Sequence, residues 1–104
     1  MIKEDEDIFL NNLATELSII FDKFKFKVVN KSIIISSGVI NITPEINVND
    51  LKVGCIKLRD KSIIFSSNSN EIELDINNPE EFSVDVLVSI LNKFIRKHKL
   101  FGVK

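Results

Sequence analysis

The chain has 104 residues, of which 44% are hydrophobic and 28% charged, and its formal net charge is −1. This length allows one domain with one core, and without a basic excess there is no general electrostatic drive toward nucleic acid or anionic membranes. The single cysteine, Cys55, excludes an internal disulfide framework and a thiolate metal cluster.

The N-terminal segment argues against export. Four of the first seven residues are acidic, which is unlike the basic start of a secretory leader. No apolar run approaches the roughly 18–20 residues that a membrane span needs. We therefore expect a cytoplasmic protein without membrane attachment.

The first predicted element is a helix over residues 4–23. Acidic residues lie in its first turn, where the helix dipole favours them, although the same cluster would also suit a binding tail. Apolar residues recur at spacings of three and four, as in an amphipathic helix. These residues are Phe9, Leu10, Leu13, Ala14, Leu17, Ile20, Phe21 and Phe24.

The apolar period changes to two at Phe24, which predicts three strands over residues 24–43. Turns are predicted at Asn30-Lys31 and at Ser37-Gly38, because Asn and Gly tolerate turn conformations. Residues that face each other across two strands share a face of the sheet. The predicted pairs are all apolar: Val28 with Ile33, Phe26 with Ile35, Ile40 with Ile35, and Ile42 with Ile33.

A similar segment occurs twice, because residues 26–37 resemble residues 56–67. The second copy predicts three more strands over residues 55–76, with turns at Asp60-Lys61 and at residues 67–70. The expected pairs are Leu58 with Ile63 and Ile56 with Phe65, with Ile72, Leu74 and Ile76 inward and Glu71, Glu73 and Asp75 outward. Residues 44–54 join the two halves, either as a plain crossover or as a functional loop.

The last predicted element is a helix over residues 79–99. Asn78 suits its N-cap and Pro79 its first position, and the cations near its end suit the helix dipole. Its apolar residues span about 200° of the helical wheel, more than one sheet face needs, so the excess would pack on the first helix or on a second chain. The apolar residues include Phe82, Val86, Leu87, Val88, Ile90, Leu91, Phe94 and Ile95.

Together these elements predict one two-layer α+β domain over residues 1–104. An antiparallel, meander-like sheet of about six strands carries an apolar face, and only the N- and C-terminal helices are available to cover that face.

The sequence offers little for catalysis, so we expect a protein that is not an enzyme and has no metal or other cofactor. A Cys–His pair would have to join Cys55 to His98, and a small apolar role for Cys55 is the simpler interpretation. The carboxylates Glu71, Glu73 and Asp75 would lie at strand spacing on one face, where they most simply form a solvated surface. The three glycines are isolated and form no phosphate-binding loop.

Two alternative functions remain open. One is a nucleic-acid-binding regulatory protein that contacts phosphates through the basic end of the last helix. Its candidate residues are Lys93, Arg96, Lys97 and Lys99, but aromatic residues for base stacking on the sheet are missing. The other is a protein that binds a small apolar ligand between helices and sheet.

The leading hypothesis is a non-enzymatic protein–protein interaction module, a homodimeric adaptor, inhibitor or chaperone-like protein with another protein as partner. Its basis is an isoleucine in each predicted outward row, one with Lys27, Ile34 and Asn41, the other with Lys57, Ile64 and Glu73. Isoleucine suits strands and is often exposed alone, but a related pair of exposed isoleucines favours a cover. The interface candidates are Lys27, Val29, Ile34, Val39, Lys57, Ile64 and Glu73.

Overall fold

The fold is a five-stranded antiparallel meander with an N-terminal and a C-terminal helix packed against it. The computed structural model describes residues 3–37, 51–67 and 70–103. Its elements are α1 (Lys3–Ile20), β1 (Phe24–Val29), β2 (Ser32–Ser37), β3 (Leu51–Leu58), β4 (Ser62–Ser67), β5 (Asn70–Asp75), a 3₁₀ turn (Pro79–Glu81), α2 (Val84–His98) and a last 3₁₀ turn (Leu100–Gly102). The predicted two-layer α+β class is confirmed, with five strands in the described residues where about six were predicted.

β2 pairs with β3, where the sequence predicted pairing with a strand directly after Ser37-Gly38. Ile33 lies opposite Ile56 and Ile35 lies opposite Gly54, so the predicted pairing of these two isoleucines with Ile42 and Ile40 is wrong. A strand has two edges, and β1 and β3 fill both edges of β2. The third strand predicted within residues 24–43 lies outside the described residues.

The connector prediction also needs correction at its end. The predicted connector over residues 44–54 extended to Gly54, whereas β3 already begins at Leu51. The pairing of β2 with β3 shifts between Ile35 and Ser36, because a β-bulge places one extra residue in β3. Because β3 is irregular at its start, the sequence there lacks the regular alternation of apolar and polar residues that predicts a strand.

The two copies of the repeated segment form two similar hairpins, as predicted. Val28 faces Ile33 and Phe26 faces Ile35 in the first hairpin. The predicted pairs of the second hairpin, Leu58 with Ile63 and Ile56 with Phe65, are also present. In the following strand Ile72 lies opposite Phe65 and Leu74 opposite Ile63, consistent with the predicted inward position of both residues. Asn30 and Lys31 have φ values of 48° and 64°, which is the backbone of a tight two-residue turn.

The core lies between one face of the sheet and the two helices. α1 contacts β1, β2 and α2, and the α1 residue Ile20, predicted within its apolar stripe, is 36% exposed at the end of the helix. Burial of this apolar surface supplies the main stabilisation of the fold. The buried core consists of Leu10, Leu13, Ala14, Leu17, Phe21, Ile33, Ile35, Ile56, Ile63, Phe65, Leu87, Val88, Leu91, Ile95 and Phe101.

The C-terminal helix begins five residues later than predicted. Asn78 has φ 47° and makes no side-chain cap; its backbone N–H donates instead to the carbonyl of Asp60 at 2.7 Å. Ser83 is the N-cap of α2, and its Oγ accepts from the backbone N–H of Val86 at 3.3 Å. Pro79 starts only a short 3₁₀ turn.

The wide apolar arc of α2 contacts both the sheet and α1. Phe94 stacks on Phe65 of β4 with ring centroids 4.6 Å apart. The guanidinium of Arg96 lies 4.9 Å from the ring centroid of Phe21, at the end of α1. α2 is also in contact with α1, the helix that was one of the two predicted alternatives for its excess apolar surface, while Val86 stays 50% exposed.

Phe101 closes the core at the bulged part of the sheet. A Cβ atom on Gly54 would overlap the Phe101 ring and the carbonyl oxygen of Ser66, so only glycine fits there. The backbone N–H of Phe101 donates to Ser67 Oγ at 3.2 Å. Phe101 has φ 58°, a conformation that a bulky residue adopts only where its surroundings fix it.

Candidate functional site

The sheet face turned away from the helices, which we call the outer face, carries the predicted interface residues. Alternate strand residues point to opposite faces, and the core takes the inward set. Strand pairing aligns the outward residues in two rows across the sheet. One row is Val29, Ser32, Lys57, Ile64 and Glu73, and the other is Lys27, Ile34, Cys55, Ser66 and Glu71.

The two outward isoleucines, Ile34 and Ile64, lie outside the packed core. Both are partly exposed, and neither belongs to the hydrophobic cluster between sheet and helices. Val29 lies at the β1 end of its row and is 39% exposed. Of the predicted interface candidates, Val39 falls outside the described residues.

The composition of the rows is partly as predicted. Lys57, Ile64 and Glu73 lie in register across β3, β4 and β5. The other predicted row contained Asn41 beside Ile34, but Cys55 of β3 takes that position. The row differs because β3 pairs with β2.

Cys55 is the residue that the sequence interpretation missed on this surface. It lies on the central strand, directly opposite Ile34 on β2 and Ser66 on β4, and diagonal to Ile64. Its thiol is free and its side chain is 8% exposed, yet it is not part of the core cluster. The inward prediction for Ile56 already implied that Cys55 faces outward, since neighbouring strand residues alternate.

Charge is distributed unevenly across the outer face. β1 contributes the exposed lysines Lys25 and Lys27 at one side. β5 contributes exposed carboxylates at the opposite side, and Glu73 Oε2 accepts a hydrogen bond from Ser62 Oγ at 3.1 Å. The face is therefore basic along one edge, acidic along the other and partly apolar between them.

The described part of this face contains hollows. A hollow of about 290 Å³ lies where β3 is irregular and is lined by Lys52, Val53, Gly54, Cys55 and Ser66. A larger hollow of about 560 Å³ lies near the β3–β4 turn. It is lined by Lys57, Arg59, Asp60, Lys61, Ser62, Ile64, Glu71 and Glu73, and this mixture of cations and carboxylates does not select one sign of ligand charge.

The only possible Cys–His pair is not assembled. Cys55 faces outward, whereas His98 contacts Phe94, which stacks on the inner face of the sheet. The backbone of the sheet therefore separates the two side chains. Within residues 3–37, 51–67 and 70–103, no group of three or more His, Cys, Asp or Glu residues is arranged to hold a metal ion.

The basic candidates for nucleic-acid binding lie at the exposed end of α2. Arg96 already has structural partners, because its Nε donates to Asn92 Oδ1 at 2.7 Å and its guanidinium lies over Phe21. Lys99 ends the helix with φ 51°. Lys93 and Lys97 are one helical turn apart and exposed, so this group offers a small basic surface.

The chain matches no protein-family model, no curated protein and no solved structure. In the described part of the chain, no helix has the length and apolar character needed to cross a membrane. A functional proposal must therefore be built on the surfaces described above.

Proposed function

We propose that this chain is a non-enzymatic protein-interaction module whose working surface is the outer face of the sheet. Its class would be that of a homodimeric adaptor, inhibitor or chaperone-like protein. The observation that carries the proposal is the pair Ile34 and Ile64, partly exposed on a face that neither α1 nor α2 covers.

The energetics of these side chains support a covered state. Burying an exposed isoleucine fully is worth roughly 1.5–3 kcal/mol, and the partial exposure of Ile34 and Ile64 leaves part of that free energy to an interface. Charged residues of β1 and β5 flank this partly apolar centre, which also holds Lys57, and the flanking charges resemble the polar rim of protein interfaces. Such a surface suits a protein partner better than a small ligand, which usually enters a concave and mostly enclosed pocket.

The chemistry of the other candidate sites supports a non-enzymatic role. Cys55 and His98 lie on opposite sides of the sheet. The carboxylates of β5 are exposed along one edge, where water screens them and general acid–base catalysis gains little.

The proposal is tested by placing a charge in the centre of the outer face. Ile34→Lys and Ile64→Lys should abolish self-association in light scattering at high protein concentration and should abolish capture of any partner protein that the unmodified chain retains. Both substitutions project outward, so the thermal unfolding midpoint should change little.

Ile19→Lys is the matched control, because Ile19 is 68% exposed on α1 and therefore lies in the other layer. This variant should associate like the unmodified chain. If the Ile34 and Ile64 variants match the unmodified chain in both assays, the outer face is not the working surface and the proposal fails.

A further inference from the structure

We propose that the outer face is covered by the outer face of a second copy of this chain, with the twofold axis parallel to the strands. In this arrangement β1 of each copy lies over β5 of the other. The inference rests on the proposed function, because it names the partner of the same surface and the way that partner is seated.

The first argument is the charge difference between the two edges. Lys27 on β1 and Glu71 on β5 are both exposed and lie at opposite ends of one row. Four strand spacings separate them, which is about 19 Å at ~4.8 Å per spacing. Lys27 and Glu71 are therefore too far apart to pair within one chain, and each is placed to meet an opposite charge on another molecule.

The second argument is symmetry. A closed homodimer uses the same patch on both copies, so the patch must complement itself. When two sheet faces meet, a twofold axis parallel to the strands exchanges the edges and places the lysine edge over the carboxylate edge. An axis across the strands would place lysines over lysines and carboxylates over carboxylates, and like charges at an interface oppose association.

The third argument concerns the centre of the face. The same axis places β3 over β3 and exchanges β2 with β4, so Ile34 of one copy lies over β4 of the other, diagonal to Ile64. Ile34 of one copy and Ile64 of the other are then offset by two residues along the strand, which is about 7 Å. The two Cys55 side chains, flanked by these isoleucines, would lie closest to the axis.

Two lysines of β3 oppose the arrangement, because the axis also brings Lys52 and Lys57 of one copy toward the same residues of the other. Lys57 is exposed and lies in the row that ends in Glu73. A lysine can lay its aliphatic stem on apolar surface and extend its ammonium group away, here toward the carboxylate edge. The repulsion between the Lys57 side chains is therefore reduced without moving the strands, whereas the Lys52 pair, at the irregular end of β3, remains unfavourable.

The size of the face predicts a reversible dimer. Five strands at ~4.8 Å spacing and about six residues at ~3.4 Å rise give a patch of roughly 24 by 20 Å, or roughly 500 Å² per copy. The total of about 1,000 Å² is at the low end of specific interfaces. Association should therefore depend on concentration within the range that sedimentation velocity covers.

The experiment uses Lys27→Glu and Glu71→Lys, each in the full chain, with circular dichroism to verify the fold. In the proposed geometry each variant alone turns two attractive contacts into repulsive ones, so its dimer dissociation constant should rise about tenfold or more. The double variant should restore the affinity of the unmodified chain, and so should an equimolar mixture of the two single variants.

The axis across the strands gives the opposite pattern. Lys27→Glu alone would then associate as weakly as the unmodified chain, and a mixture of Lys27→Glu with the unmodified chain would associate more tightly than either alone. That result, or a dimer that charge reversal leaves unchanged, overturns the proposed arrangement while leaving the outer face as an interaction surface.

A cross-link provides a second measurement that does not depend on affinities. In a Cys55→Ser background, Lys27→Cys mixed with Glu71→Cys should give a disulfide-linked heterodimer under mild oxidation, whereas Lys27→Cys alone should not. If the unmodified chain is a strict monomer, the second copy is excluded. A partner captured by the unmodified chain and lost in the Ile34 and Ile64 variants would then still support the proposed function.

Discussion

Single residues decide where the two layers of this protein can approach. Gly54 is buried in β3, and the Phe101 ring lies against its Cα, because no side chain occupies that position. Phe101 is held there in a left-handed backbone conformation, with its N–H bonded to Ser67 Oγ. The contact joins the last turn of the chain to the central strand.

We predict that Gly54→Ala lowers the free energy of unfolding by about 2–3 kcal/mol, as overpacking a well-packed core does. The added methyl group would meet the Ser66 carbonyl as well as the Phe101 ring, and backbone in a paired strand cannot move away easily. Urea unfolding followed by circular dichroism measures the change.

Gly102→Ala is the matched control for that experiment. Gly102 has φ +81° and open space around its Cα, so alanine there meets no atom and costs only the left-handed conformation, about 1–2 kcal/mol. A Gly54→Ala variant as stable as the unmodified chain would show that Phe101 does not pack on the strand as described.

At the scale of elements, capping determines where α2 starts. Asn78-Pro79 has the composition of a helix start. The backbone N–H of Asn78, however, donates a hydrogen bond to the carbonyl of Asp60 and so holds the chain against the β3–β4 turn. Phe82 is extended, and Ser83 then caps the helix, with Asp85 in its first turn. Two candidate starts lie five residues apart in the sequence, and a tertiary contact selects the second.

Ser83→Ala should therefore destabilise the protein by about 1 kcal/mol, the usual cost of losing an N-cap side chain. Ser89→Ala, at an exposed position within the same helix, should be neutral or stabilising by up to about 0.5 kcal/mol, because alanine is the better helix former. Thermal unfolding of both variants measures the difference. Equal effects of the two substitutions would argue against Ser83 as the cap.

At the scale of the whole molecule, the fold has two layers and two unequal sheet faces. The helices cover one face, and the other carries a basic edge, a partly apolar centre and an acidic edge. The net charge of −1 conceals this separation of charge. We propose that this surface pairs with a copy of itself that is rotated about an axis parallel to the strands.

The proposed dimer should weaken several-fold when salt is raised from about 0.05 M to about 0.5 M, because its rim contacts are exposed ion pairs that salt screens. Sedimentation velocity at several salt concentrations measures the effect. The variant carrying both Lys27→Glu and Glu71→Lys should respond like the unmodified chain, since it keeps the same number of opposite-charge pairs. Association that strengthens steadily with salt would indicate apolar contacts alone and would contradict the charged rim.

Much of the fold could be predicted from the sequence because the signals are local. The change of apolar period from about four to two marks the end of the first helix, and the register of both repeated hairpins follows from a short turn between opposed apolar residues. The outward position of Ile34 and Ile64 follows from the same alternation. Each of these inferences needs only neighbours within a few residues.

The remainder required the tertiary structure, because it depends on contacts between distant residues. Ile33 and Ile35 could pair with any apolar strand, and only the assembled sheet shows that their partner is β3. This pairing places Cys55 between Ile34 and Ile64 on the outer face. In the same way, Gly54 has no visible role until Phe101, far along the chain, packs against it. The sequence by itself determined which residues face inward and which face outward. The tertiary structure decided which strands are neighbours, because apolar strands of similar sequence are equally suitable partners until the sheet is assembled.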